Sequence, residues 1–204
     1  MSQQLALALS GTIRHDGNGG VADDLADVAG LAGWLREQAA SLREYAVGVE
    51  QFADAADEQM RLDVVALRRA VRTLFAEAVR PGPPSRADSS SLLSPPEAVE
   101  RLNQAAATLP LSPMLSWPEG AEPAAAWRGS GPADDRRRLA AALAWAAIEF
   151  LAGPARERLR ACPAPRCVRY FIKEHPRQEW CKPSCGNRAR VARHYQRHTT
   201  GDQA

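Results

Sequence analysis

Four cysteines are the residues of this 204-residue chain best suited to chemistry, and all lie near its C-terminus: Cys162, Cys167, Cys181 and Cys185. They form two pairs, Cys-x4-Cys and Cys-x3-Cys, separated by 13 residues. Two close pairs at that separation bring four thiolates to the corners of one tetrahedron, the coordination a structural zinc ion takes. Four protein ligands close the site, so one Zn2+ would hold up the fold and leave no position for activating water. A site of this kind adds on the order of 10 kcal/mol to the folding of a module too small for a core of its own. Neither pair has the Cys-x-x-Cys spacing of a redox dithiol. An iron–sulfur cluster, or His175 or His194 in place of one thiolate, is the alternative.

The residues around the cysteines suggest how they are positioned. Cys162-Pro163-Ala164-Pro165-Arg166-Cys167 reads as a tight knuckle, Val168 to Ile172 as strand-forming, and His175 to Gln178 as a turn leading back to Trp180 and Cys181. The last pair opens a final helix, giving a treble-clef-like order of knuckle, hairpin and helix. On a helical wheel Arg190, Arg193 and Arg197 fall on one stripe with His194 at its edge. Val191 and Tyr195 then face the packing side, toward Phe171 or Trp180, while Asn187 and Arg188 support the knuckle. Gly186 would let the backbone crowd the metal site.

The chain's charge is divided the same way. Residues 1–155 carry 14 Lys and Arg against 20 Asp and Glu, a net of −6, whereas residues 156–204 carry 12 against 4, a net of +8. An acidic body with a basic module suggests that a polyanion meets the module. The body reads as mainly helical with short strands. Leu5, Leu7 and Leu9 alternate as in a strand, and the run from His15 to Gly20 is a turn. Asp27 caps a helix carrying Leu31, Trp34 and Leu35, and a longer helix spans about 57–80 with Val64, Leu67, Val71, Leu74 and Ala78 on one face. Its arginines, Arg61, Arg68, Arg69 and Arg72, fall mostly elsewhere. Residues 81–96 read as a loop with no packing pattern, and Ser94 with Glu97 forms a capping box for a helix to about Ala107. A weak hairpin about Pro118-Glu119-Gly120 precedes a long helix from about Pro132 to Ala152, stopped by Gly153-Pro154.

The fold expected is therefore α+β, a helical body over residues 1–155 and a small zinc finger over 156–200. No targeting signal is legible, and the longest apolar run, Leu139 to Ile148, is about half a membrane span. A cytoplasmic protein is expected, where paired cysteines hold metals more often than disulfides.

Cys162-x4-Cys167, Trp180-Cys181 and above all Cys185-Gly186-Asn187-Arg188-Ala189-Arg190 resemble the CGNR zinc finger family, proposed bacterial transcription regulators. The resemblance spans residues 156–198. Members of that family typically carry an N-terminal ABATE domain, described as a stress-induced regulator. The body here is similar in its leucine-rich start, Thr12 with Arg14, Asp24-Leu25, Trp34-Leu35, Leu67-Arg68 and Arg101-Leu102-Asn103. One departure is that Gly11 precedes Thr12 where family members often have Asn-Thr.

These observations favour a zinc-dependent regulator that binds double-stranded DNA through Arg190, Arg193 and Arg197, helped by Arg188, Arg166, Arg169 and Lys173. A lone finger of this size is a weak specific binder, which favours a homodimer through the body, although no particular residue marks the contact. A protein-interaction adaptor is the second reading. RNA binding would need exposed aromatics, and Tyr170, Phe171, Trp180 and Tyr195 read mostly as core. An enzyme is disfavoured: His15 with Asp16 lies in a Gly-rich turn, and the sequence has no phosphate-cradling glycine motif.

Overall fold

The structure, a computed structural model, describes residues 2–18, 20–45, 49–88, 92–129 and 134–201. Gly19, residues 89–91 and Pro132, on which parts of the sequence expectations fall, lie outside them. The chain opens with α1 (Ser2–Ser10), then a two-stranded hairpin of β1 (Ile13–His15) and β2 (Val21–Asp23). Three helices follow, α2 (Val28–Glu37), α3 (Ala39–Arg43) and α4 (Val49–Asp54). The long α5 (Glu58–Ala78) and α6 (Pro95–Ala107) lead to a second hairpin, β3 (Leu111–Ser116) with β4 (Ala124–Gly129). The last body helix is α7 (Asp135–Ala152); β5 (Leu159–Ala161), β6 (Tyr170–Ile172) and α8 (Pro183–Gly201) complete the chain.

The N-terminal segment corrects the strand expectation. Leu-Ala alternation satisfies a period of two, but Leu5 and Leu9 also stand four apart, and both are fully buried beside Ala6 on one helical face. Ala and Leu are the strongest helix formers, and among the described residues no strand pairs with this segment, so the helix wins. Each buried leucine contributes roughly 1.5–3 kcal/mol. α1 packs chiefly on α7. The latter has Leu139, Leu143, Ala146, Ala147 and Phe150 buried and is covered by α1, α5 and α6, so it needs no polar face along most of its length.

The helix starts follow the sequence. Asp27 accepts from the Gly30 N–H at 2.7 Å, Asp57 from Met60 at 2.7 Å and Asp134 from Arg137 at 2.8 Å. Ser94 and Glu97 form the reciprocal capping box.

Two expectations about polar residues change. Arg68 and Arg72 lie on the buried side of α5, 4% and 2% exposed, where a position off the apolar face was expected. They stand at i+4 and i+8 from the core residue Val64, so the helical period carries them inward. Part of the expected loop also packs: Ser85 and Asp88 are buried, and both are hydrogen-bonded to Arg72. An unpaired buried guanidinium would be prohibitively costly.

The hairpin of β5 and β6 forms the wall between body and finger. Its three residue pairs, Leu159–Ile172, Arg160–Phe171 and Ala161–Tyr170, are antiparallel and enclose the knuckle. The strand expected from Val168 to Ile172 therefore pairs backward with β5, not forward with the segment before Cys181. Alternation then sorts the side chains. Tyr170 and Ile172 join the body core with Leu159 and Ala161, whereas Phe171 points to the other face and packs with the cysteines.

Candidate metal centre and its basic surroundings

The knuckle between β5 and β6 folds back because Arg166 adopts φ 62°, which lets the Cys167 N–H reach the Ala164 carbonyl at 3.0 Å. The Cys162 N–H closes the hairpin on the Arg169 carbonyl at 2.9 Å. From the other side, the Cys181 N–H donates to the Cys162 sulfur at 3.5 Å, and Cys185 enters from the first turn of α8. All four Sγ atoms lie within 4.8 Å of one another. The Cys167–Cys181 and Cys181–Cys185 separations are 3.7 and 3.5 Å. A tetrahedron with Zn–S bonds of about 2.3 Å has edges of about 3.8 Å, so the donor set fits one zinc ion.

Charge gives the same answer. A hydrogen bond from Cys162 holds the Cys167 thiol well below its usual value, while sharing with neighbouring sulfurs and burial push Cys181 far up. Cys162 is likewise raised, to about 11. Four adjacent sulfurs cannot all ionise unaided, and a divalent cation at their centre removes the conflict. When bound, the ion serves to fix the knuckle to α8. Among the described residues, Phe171, Ala164 and the partly buried Trp180 are the apolar residues packed with the cysteines in this cluster.

Gly186 has a specific reason. A Cβ there would lie 2.9 Å from Cδ1 of the Trp180 indole, so glycine makes room for the ring where crowding of the metal itself was expected. Arg188 supports the centre as expected, donating from Nη2 to the Cys185 sulfur at 3.1 Å. Asn187 does not: it is exposed and accepts a short hydrogen bond from Arg190.

The face that α8 buries also differs from expectation. Cys185, Gly186 and Ala189 are buried and Ala192 is partly so, whereas Val191 is 55% and Tyr195 67% exposed. The ligand Cys185 sets the rotation of the helix, and Val191, six residues on, is turned by about 240° from it. Arg190 and Arg193 are exposed as expected. Arg197 continues the helix, but its side chain lies outside the described residues. Arg166 is exposed, and Arg169 and Lys173 are half-buried.

The finger is joined to the body by a buried polar network that the sequence did not reveal. Arg72 of α5 forms a two-pronged ion pair with Asp88 at 2.7 and 3.1 Å. It also donates to the Ser10 carbonyl at 2.6 Å, to Ser85 Oγ at 3.0 Å and to the Val168 carbonyl, next to a zinc ligand, at 3.2 Å. Tyr170 donates to Asp88 at 2.6 Å beneath the guanidinium, 5.3 Å from its ring centre. Burial and the carboxylate beside it raise the Tyr170 hydroxyl well above its usual value. A second network anchors the N-terminal hairpin: Arg68 pairs with Asp23 at 2.5 and 2.7 Å and donates to the buried Thr12 hydroxyl at 3.0 Å. The available signal was the i+4 spacing of Val64, Arg68 and Arg72; nothing in the sequence singles out Asp88 as the partner.

Four thiolates on a knuckle and a helix start, carried on a helical body, define a zinc-finger protein. Residues 3–154 match the ABATE family, described as "Putative stress-induced transcription regulator", and residues 158–198 match the CGNR zinc finger. The chain belongs to the ABATE family and ends in a CGNR zinc finger. No curated protein matches it. Among the described residues, no helix is long and apolar enough to cross a membrane.

Proposed function

We propose that this chain is a transcription regulator that grips double-stranded DNA with α8, using Arg190, Arg193 and Arg197 as the contact stripe. The observation that carries the reading is the exposure of α8. From Arg190 to Gln196 the helix is exposed except at the half-buried Ala192, so Arg190 and Arg193 are presented to solvent from a base fixed by zinc. Arg190 and Arg193 are not held in ion pairs with acidic side chains among the described residues. Arg166 is a further exposed cation on the knuckle. In this reading residues 1–155 are the sensing or dimerising domain, residues 156–200 are the DNA-binding domain, and the protein works in the cytoplasm without catalysing a reaction.

The test is fluorescence-anisotropy binding of zinc-loaded protein to duplex DNA at several salt concentrations. Contacts to about three to five phosphates give a log–log salt slope near −3 to −4. Replacing Arg190, Arg193 and Arg197 together with alanine should flatten it by about 3. An unchanged slope in a folded, zinc-loaded variant removes the assignment. A second reading has its own observation: Val191 and Tyr195, four apart and both exposed, form an apolar patch on α8 suited to a protein partner. Loss of partner capture with intact DNA binding in Val191→Ser/Tyr195→Ser would support it.

A further inference from the structure

Where the N-terminal hairpin meets the finger, a cavity of about 180 Å3 is lined by Arg14, His15, Cys167, Arg169, Lys182 and Arg188 among others. The space is about that of six liquid waters. Four of these side chains are cations, and they come from three separate parts of the chain: β1, the knuckle and the start of α8. Among the described residues, no Asp or Glu lines the cavity. Arg14 is paired with Asp24 at 2.6 Å, and Asp16 lies 3.7 Å from His15 Nδ1, so those two carboxylates flank it.

The centre beside it explains part of this charge. Four thiolates around one zinc ion keep two net negative charges, and Arg188, bonded to Cys185, offsets one of them. Arg169 and Lys182 bring two further cations against the one negative charge that remains, so the cavity keeps more positive charge than the metal needs.

Two buried donors sharpen the point. The His15 side chain is only 10% exposed. Its Nδ1 accepts the Gly17 N–H at 2.5 Å, which places the neutral ring's proton on Nε2. That Nε2 is buried without a hydrogen-bond partner, and so is Nε of Arg188. Buried N–H donors left unpaired are costly. Both belong to residues that line the one cationic cavity, where a bound oxyanion would supply the acceptors they lack. Arg169 and Lys182 also line an adjoining groove of about 740 Å3 between body and finger, which reaches Trp34 and Phe171.

We propose that this cavity binds a phosphate group, with His15 and Arg188 as buried donors and Arg169 and Lys182 as cations at its rim. Oxyanions with several acceptor oxygens match this donor set, and guanidinium groups favour them. The phosphate belongs either to a small phosphate-bearing ligand whose remainder occupies the groove or to a DNA backbone. The cavity reassigns Arg169 and Arg188 from an open DNA face to a junction that any ligand must bridge from body to finger. The inference does not depend on the α8 stripe.

The experiment is a titration of zinc-loaded full-length protein with inorganic phosphate, followed by 31P NMR at constant ionic strength set with chloride. Saturable binding is expected, weakened roughly tenfold or more in Arg169→Gln/Lys182→Gln and in His15→Phe. Zinc content and circular dichroism are checked in each variant. Should the double variant lose zinc, Lys182→Gln alone, at an exposed position, decides. Absence of saturable binding, or equal affinity in the folded variants, overturns the proposal. Duplex DNA is then added to the phosphate-saturated protein. Release of phosphate assigns the cavity to a backbone phosphate; retention beside bound DNA assigns it to a small ligand.

Discussion

The body and the finger of this chain solve the same problem with different materials. The body surrounds α7 with α1, α5 and α6 and excludes water with more than two dozen buried apolar side chains. The finger has Phe171, Ala164 and part of Trp180 around its cysteines, too little apolar surface to stand alone. Its cohesion comes from a cation. Yet the two are not separate beads, because β6 sends Tyr170 into one core and Phe171 into the other, and Arg72 reaches the carbonyl beside a zinc ligand. The difference teaches where a signal could pass. A hydrophobic body and a metal-held finger share the buried polar network of Arg72, Asp88 and Tyr170, so a change there is felt on both sides.

The largest test of this contrast is removal of the metal. Chelation, or Cys185→Ser, should unfold the knuckle and α8 base, since the ion supplies on the order of 10 kcal/mol. Helix content from α1 to α7 should largely persist, read by circular dichroism and by hydrogen exchange along the chain. Collapse of both regions together would show that the body has no independent core. The joint comes next. Arg72→Met leaves Asp88 buried without its cation and should cost roughly 3–5 kcal/mol. Because Val168 and Tyr170 also lose a partner, zinc affinity should fall along with the thermal midpoint; a lowered midpoint with unchanged zinc affinity would confine Arg72 to the body.

How much of this was legible follows the same division. Zinc ligands declare themselves through residue type and spacing, because coordination tolerates few alternatives, and the four cysteines converge as their spacing implied. Caps are equally local: Asp27 and Ser94 each bond within three residues. What stayed hidden depends on distant partners. Arg72 and Asp88 are 16 residues apart and Arg72 and Val168 are 96 apart, so no window of sequence contains the network. The strand expected at Leu5–Leu9 failed for a different reason: five alternating Leu and Ala residues fit both periods, and only packing on α7 decides. On α8 the wheel was right about Arg190 and Arg193 but wrong about Val191 and Tyr195. Apolar character suggested an inward face, whereas the ligand Cys185 fixes the rotation.

A smaller perturbation probes how tightly the finger is packed despite its size. Gly186→Ala gains helix propensity of up to about 1 kcal/mol but drives a methyl to within 2.9 Å of the Trp180 ring. Overpacking of this kind costs roughly 1–3 kcal/mol, so a net loss is expected. Trp180 must shift, and its fluorescence and the zinc affinity should change together. A variant as stable as the parent, with unaltered zinc affinity, would mean that the ring moves freely and that the finger's few apolar contacts contribute little beyond the metal.

The smallest effect lies in the body, at the pair of Arg68 and Asp23, and it separates the regions by pH. Burial pushes the Asp23 carboxyl up, but hydrogen bonds from Arg68 and the Leu25 N–H outweigh it and hold the group below its ordinary value of 3.8. Its stabilisation is therefore complete above about pH 4 and is lost as pH falls through the lower, folded-state value. Arg68 is buried, but the Asp23 side chain is 37% exposed, so solvent screens the pair and it adds modestly. Asp23→Asn should lower the thermal midpoint slightly at neutral pH, and the gap from the parent should narrow on acidification below pH 4. Acid also protonates the thiolates and releases zinc, but it does so in both proteins, so the difference between them isolates the body. A gap that stays constant from neutral pH to pH 3 would show that the anchor of the N-terminal hairpin is hydrogen bonding alone, without a contribution from charge.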